Sequence, residues 1–320
     1  MCRLERQSRR SGTNWVCRLP APAYPLLFCL VEVFATAQDL TPRAYVITPV
    51  DSNAVILSYS FSDGDVLLDP TLPIENFKGR AGVSVFSYYR SFSIVGRSAN
   101  ITLSVPYADA QYKATVMSGE ARASRSGLAD GRVRLSVNLR GGRAMSVQDF
   151  VSYREGVVIG ASLTAVVPIG QYDPARIINP GANRWAMKPE IGFSKRWNHW
   201  VVDGYGGVWF FANNYAFFPG QSIRSQNAIG AGEAHFSYYF GRALWASFDG
   251  NFWAGGQSTI NTMVNRDFAK NSRLGASVSI PLSRHQSLKF SFNKGAYIAI
   301  GGDYTTVSAG WQYHWVSNSE

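Results

Sequence analysis

A chain of 320 residues that is 46% hydrophobic and only 16% charged, yet has no run of 18 uninterrupted apolar residues, argues against a helical membrane span. Its formal charge of +10 comes from scattered Lys and Arg with no zinc-ligand or helix-turn-helix spacing, so nucleic acid is not an expected partner. Nine Trp, 16 Tyr and 19 Phe point instead to a water–hydrocarbon boundary, which Tyr and Trp favour.

At the N-terminus, Arg3, Arg6, Arg9, Arg10 and Arg18 precede a short apolar stretch from Ala21 to Phe34, interrupted by Glu32 and followed by Ala35-Thr36-Ala37. This is the layout of a secretory signal peptide spanning 1–37, with cleavage near Ala37. Five Arg, two Glu and all three cysteines (Cys2, Cys17 and Cys29) leave with it, so the exported part keeps a charge of +7 and no thiol. Lipid attachment at Cys29 competes with this reading, but bulky Phe28 disfavours it. Residues 38–51 are expected to be an N-terminal periplasmic segment, a lumen plug or an extra pairing element.

From residue 52 the hydrophobic period becomes two. Val55, Leu57, Tyr59 and Phe61 lead the first segment, Val133, Leu135, Val137 and Leu139 the fourth, and Leu274, Ala276, Val278 and Ile280 the tenth. The pattern is clearest at the end, where Leu288, Phe290 and Phe292, then Val307, Ala309, Trp311, Tyr313 and Trp315, alternate with polar or small residues. Strands are predicted near 52–62, 80–91, 99–108, 131–140, 156–169, 185–196, 200–212, 227–240, 243–254, 272–281, 286–297 and 304–316. The apolar sides are expected to carry no Asp, Glu, Lys or Arg, because a charge at bilayer mid-depth costs about 2–4 kcal/mol. Long gaps (63–79, 109–130, 170–184, 213–226, 255–271) alternate with short ones (92–98, 197–199, 241–242, 282–285), matching external loops and periplasmic turns, except that 141–155 is long for a turn and 298–303 short for an external loop. The expected fold is all-β: a transmembrane antiparallel up-and-down β-barrel of about 12 strands over 52–316, with a tail at 317–320. Pro189, on an outward position, predicts a bulge.

The opposite sides supply the candidate site. Acidic Glu190, Asp203, Glu233 and Asp249 fall on predicted strands six to nine, and basic Arg273, Lys289, Arg132 and Arg134 on strands ten, eleven and four, with Lys188 beside Glu190. Closing the sheet is expected to set an acidic wall against a basic one. Such charges either form a salt-bridge network that blocks the lumen and fixes register, or make a transverse field that orients a solute. No metal site or cofactor is expected: the four histidines do not cluster, and Asp63, Asp65 and Asp69 lack a full calcium ligand set. A lipid hydrolase would need its serine on the lipid side, where only Ser87 is predicted.

Several motifs carry a resemblance. Arg43-Ala44-Tyr45 with Pro49 and Asn53-Ala54, Gly96-Arg97-Ser98-Ala99-Asn100, Val105-Pro106-Tyr107, Val167-Pro168-Ile169-Gly170-Gln171-Tyr172 and Lys188-Pro189-Glu190 are similar to the meta-pathway phenol-degradation family of outer-membrane transporter-like β-barrel proteins. Gly310, Tyr313 and Trp315 resemble the C-terminal signal read by the barrel assembly machinery. The resemblance implies a passive channel for small organic compounds, aromatic or hydrophobic, in the outer membrane of a Gram-negative bacterium, with membrane lipid, small solutes and the assembly machinery as partners and no catalytic residues. An outer-membrane hydrolase of lipase or protease type and a non-conducting structural barrel are the alternatives.

Overall fold

A computed structural model of the chain describes residues 42–69, 74–116, 119–241 and 243–317, together with two short paired strands, β1 (Arg3–Glu5) and β2 (Val16–Arg18). Apart from those two strands, the expected signal peptide and its cleavage point lie outside the described residues, as do 38–41 and 318–320.

The barrel begins with β3 (Ser52–Leu67), β4 (Ile74–Ile94) and β5 (Arg97–Val116). The fourth stave is split into β6 (Gly119–Leu128) and β7 (Gly131–Arg140). A helix, α1 (Val147–Ser152), capped by the Ser146 side chain, precedes β8 (Val157–Val167), β9 (Ala186–Trp197) and β10 (Trp200–Phe211). After the small strands β11 (Asn214–Phe217) and β12 (Ser222–Gln226) come β13 (Ile229–Tyr239) and β14 (Trp245–Gly255). The short β15 (Ser258–Ile260) and β16 (Met263–Val264) lead to β17 (Ala269–Pro281), β18 (Gln286–Ile298) and β19 (Gly301–Val316). Each stave pairs antiparallel with its neighbours, and β19 returns to β3 with an unbroken register from Gly301↔Leu67 to Val316↔Ser52. The sheet therefore closes into twelve staves.

The break in the fourth stave has a local cause. β5 pairs with β7 from Ala99↔Val137 to Ser104↔Arg132 and with β6 from Tyr107↔Leu128 onward. Between the two lies Pro106, which has no N–H to give the ladder, so the partner chain steps aside at Ala129-Asp130. The Asp130 carboxylate then accepts the N–H groups of Gly170 (3.0 Å) and Ala182 (2.7 Å), tying the 168–185 connection to the break.

The outer surface follows from the alternation. Leu57, Phe86, Leu135, Phe236, Phe248 and Phe290 are all exposed on it, as lipid contact requires. Charges on this side occur near strand ends: Arg80 pairs with Asp63, Lys78 lies 3.7 Å from Asp65, Arg90 lies 3.5 Å from Asp51, and Lys195 and Lys294 are exposed near their turns. The expected exclusion of charge thus applies to the middle of the staves and not to their rims. Asp63 and Asp65, read from sequence as part of a long loop, belong to a strand and hold cations of the next one. Leu135→Arg should lower stability by about 2–4 kcal/mol in urea titrations of the protein in lipid vesicles. An unchanged midpoint would place that face in water.

Two expectations are corrected. Ser87 faces the lumen and exchanges a 2.8 Å hydrogen bond with Ser104, because β4 turns Gly82, Ser84, Phe86 and Tyr88 outward. No bulge forms at Pro189: its pairing with β8 (Leu163↔Pro189) is continuous, and the register with β10 is the same on either side of it. Two rungs facing β10 are skipped instead, and Gly207 gives the Pro189 carbonyl room. Register shifts occur at Asn138/Arg140, Ser272/Arg273 and Glu75/Lys78.

Candidate functional site: a charged, segment-filled lumen

The lumen-facing positions of β7, β8, β9, β10, β13, β14 and β17 lie side by side, so their polar side chains form a belt. Glu190 is its hub. One carboxylate oxygen accepts from Tyr45 Oη at 3.0 Å and Arg134 Nη2 at 3.2 Å, and the other lies 2.7 Å from Lys188 Nζ. Lys188 reaches Glu233 at 3.7 Å, and Glu233 lies 3.4 Å from His235 Nε2. His235 Nδ1 meets Asp249 at 2.9 Å, and the other oxygen of Asp249 accepts from Ser247 (3.1 Å) and Ser277 (2.9 Å). Glu190, His235 and Asp249 are all buried, so each charge depends on its partners rather than on water.

The belt alternates in sign around the wall instead of dividing into an acidic and a basic side, because Lys188 and Glu190 occupy successive inward positions of one strand. Of the other candidates, Asp203 stands opposite His235 and Ser194 in register and is enclosed, while Lys289 lies over the Trp245 ring at 5.7 Å. Arg273 donates to Asn293 Oδ1 and the Gly302 carbonyl, both at 2.9 Å, and Arg132 lines the space above the belt. Gly310 faces the lumen and Tyr313 the outside, in ring contact with Trp311 and Trp315 at 6.3 and 5.8 Å.

The segment 42–50 enters this belt. The Arg43 guanidinium lies over the rings of Tyr239 (4.6 Å) and Trp245 (5.4 Å). Ala44 donates its N–H to Tyr205 Oη at 2.9 Å, and its carbonyl accepts a long contact from Arg134 at 3.4 Å. Tyr45 is 1% exposed and its hydroxyl lies 3.1 Å from Ser162 Oγ. Its ring occupies a slot made by paired Gly160 and Gly192: a Cβ on Gly192 would sit 1.9 Å from the ring, and one on Gly160 2.3 Å. Ile47 packs with Met145 and Val158, and Val50 N–H bonds to the Met145 carbonyl at 2.9 Å. The inward-facing partners Ser162, Tyr205 and His235 were not singled out from sequence as a site. The readable signal was two glycines at facing inward positions, which leave a hole that some other side chain must fill.

Above the belt, toward the long connections, lies a cavity of about 530 Å³. Val83, Val85, Ala108, Val166, Phe211 and Trp253 give it apolar walls, and Asp249 and Ser277 are on its belt side. Part of the 168–185 connection folds inward, where Ile178 packs among Phe77, Tyr112 and Tyr304 and its carbonyl accepts from Arg125 Nε at 2.8 Å.

A closed, twelve-stave barrel with a lipid face uncharged at mid-stave, a polar interior, and its first stave beginning and its last stave ending on the side of the short turns is a β-barrel of the bacterial outer-membrane type. Residues 60–313 match the family described as "Putative MetA-pathway of phenol degradation", and the chain belongs to that family. The fold is similar to the crystal structure of the COG4313 outer membrane channel from Pseudomonas putida F1, with a TM-score of 0.72 at 15% identity over 87% of this chain and 100% of that one. It also resembles the transport unit of the autotransporter AIDA-I from Escherichia coli, with a TM-score of 0.54 at 9% identity over 92% and 97% of the two chains. No curated protein sequence matches it.

Proposed function

We propose that this protein is a passive outer-membrane channel for small organic solutes, aromatic or otherwise apolar, closed at its periplasmic end by residues 42–50. The observation that carries this reading is the cavity of about 530 Å³, of a size that holds small ligands, whose inner end is the belt occupied by Tyr45. A barrel with only a structural role has no need of an apolar-walled chamber above a removable stopper. The hydrolase alternative loses the serine it was weighed on, since Ser87 is bonded to Ser104 inside the barrel and away from lipid. The belt residues Arg134, Lys188, Glu190, Glu233 and Asp249 hold the closing segment and the register, and Gly310, Tyr313 and Trp315 on the last strand present the surface for assembly.

The test is electrical. Purified protein in planar bilayers should show brief, small openings that a soluble aromatic such as benzyl alcohol reduces by occupying the chamber. A variant deleted for residues 42–49 should stay open longer. A folded, heat-modifiable deletion variant that carries no current would overturn the proposal.

A further inference from the structure

Among the described residues, two buried side chains beside Gly302 on the cavity wall each have a polar atom with no hydrogen-bond partner. Arg273 is 3% exposed, and its Nη1 and Nη2 donate to neutral acceptors, Asn293 Oδ1 and the Gly302 carbonyl, but its Nε–H has no acceptor. It makes no ion pair among the described residues. Tyr304 is 5% exposed and its hydroxyl is likewise without a partner. Both flank Gly302: Arg273 crosses β18 to bond that residue's carbonyl, and the Tyr304 ring lies over the same glycine, where a Cβ would come within 2.1 Å of it, with the Tyr304 hydroxyl reaching on toward Gly79 and the Tyr112 ring. Both residues line the cavity.

The hydrogen bonds of this buried guanidinium go to neutral carbonyls, the Asp303 carboxylate acts on it through space without pairing with it, and an unmade hydrogen bond at a buried donor is costly. The favourable occupant brings a negatively charged oxygen. By contrast, the three acidic groups on the same wall are already engaged, Asp130 by the N–H groups of Gly170 and Ala182. Asp249 is held by His235, Ser247 and Ser277, and Asp267 accepts from the Ser258 N–H at 2.8 Å and from its hydroxyl. The rest of the wall mixes polar side chains, including Arg132, Arg184 and Arg224, with the apolar and aromatic surface of Val83, Val85, Phe211 and Trp253, the last on the strand next to that of Arg273.

We infer that the cavity contains an anion subsite, built on Arg273 and Tyr304, that selects small aromatic carboxylates over neutral aromatics. This rests on the channel reading for its purpose but not for its test, which reads binding. Benzoate and its neutral isostere benzamide are titrated into the purified, detergent-solubilised protein by calorimetry. Benzoate should bind at least roughly tenfold more tightly, the difference expected when one charge-assisted hydrogen bond is gained. Arg273→Met should abolish the preference. Tyr304→Phe, which removes an unpartnered hydroxyl and leaves the packing in place, should reduce it severalfold without altering heat modifiability. Equal binding of the two probes, or a preference that survives in a folded Tyr304→Phe protein and in Arg273→Met, overturns the subsite. Planar-bilayer current separates the two readings: benzoate preference in a protein that never conducts upholds the subsite and removes the channel, whereas current without any benzoate preference does the reverse.

Discussion

Gly192→Ala should open the barrel. A methyl group there would lie 1.9 Å from the Tyr45 ring, and the atoms on the other side belong to the strand backbone, so Tyr45 has to leave its slot. Overpacking of this kind costs about 1–3 kcal/mol. That strain acts on the segment-bound state alone, so it shifts the balance between closed and open by roughly one to two powers of ten. Single-channel recording should show a corresponding rise in open probability. Gly206→Ala is the control, since a Cβ at that position meets nothing within 4 Å. If the two variants gate alike, Tyr45 is not the stopper.

Glu190→Gln should be the most damaging single change in the belt. The carboxylate answers Arg134 and Lys188 together and also receives the Tyr45 hydroxyl, so neutralising it leaves two cations enclosed with reduced compensation. Breaking one side of a buried ion pair costs about 3–5 kcal/mol. Urea unfolding in lipid vesicles should show a loss of that order. Adding Arg134→Met should recover part of it, because the second change removes a charge that had lost its partner. A double variant less stable than Glu190→Gln alone would mean that Arg134 serves chiefly by its contacts with Ser162 and the Ala44 carbonyl.

The lipid-facing half of the molecule was legible because bilayer contact imposes a one-sided rule on alternate residues. Leu135 and Phe290 obey it, and so does the C-terminal run ending at Trp315. The rule stops at the membrane surface. Above it the polarity reverses: along β5, Asp109, Gln111 and Lys113 turn outward while Ala108, Ala110 and Tyr112 turn inward, so a stretch that reads as loop is a continuing strand. The gaps 213–226 and 255–271 likewise contain the strands β11, β12, β15 and β16, which pair into a small sheet of their own. In β4 both faces are mildly apolar, Val83 and Val85 on one and Phe86 and Tyr88 on the other, and alternation alone gave the wrong parity for Ser87. The belt residues were nameable as inward charges, but their order of contact depends on which strands adjoin. The place of Tyr45 depends on a slot formed by two strands more than a hundred residues away.

The seam between β19 and β3 joins positions separated by almost the whole barrel, as in Val316↔Ser52. Every other junction is made between strands near in sequence, so the sheet can grow stave by stave from either end, but the last junction waits for the final residues to be delivered. Until then the curled sheet has two bare edges, and each is a template for the strand of another chain. A chain cut short before Gly301 would keep both edges permanently. Its fate is therefore decided less by the stability of the staves it has than by what first adds to those edges.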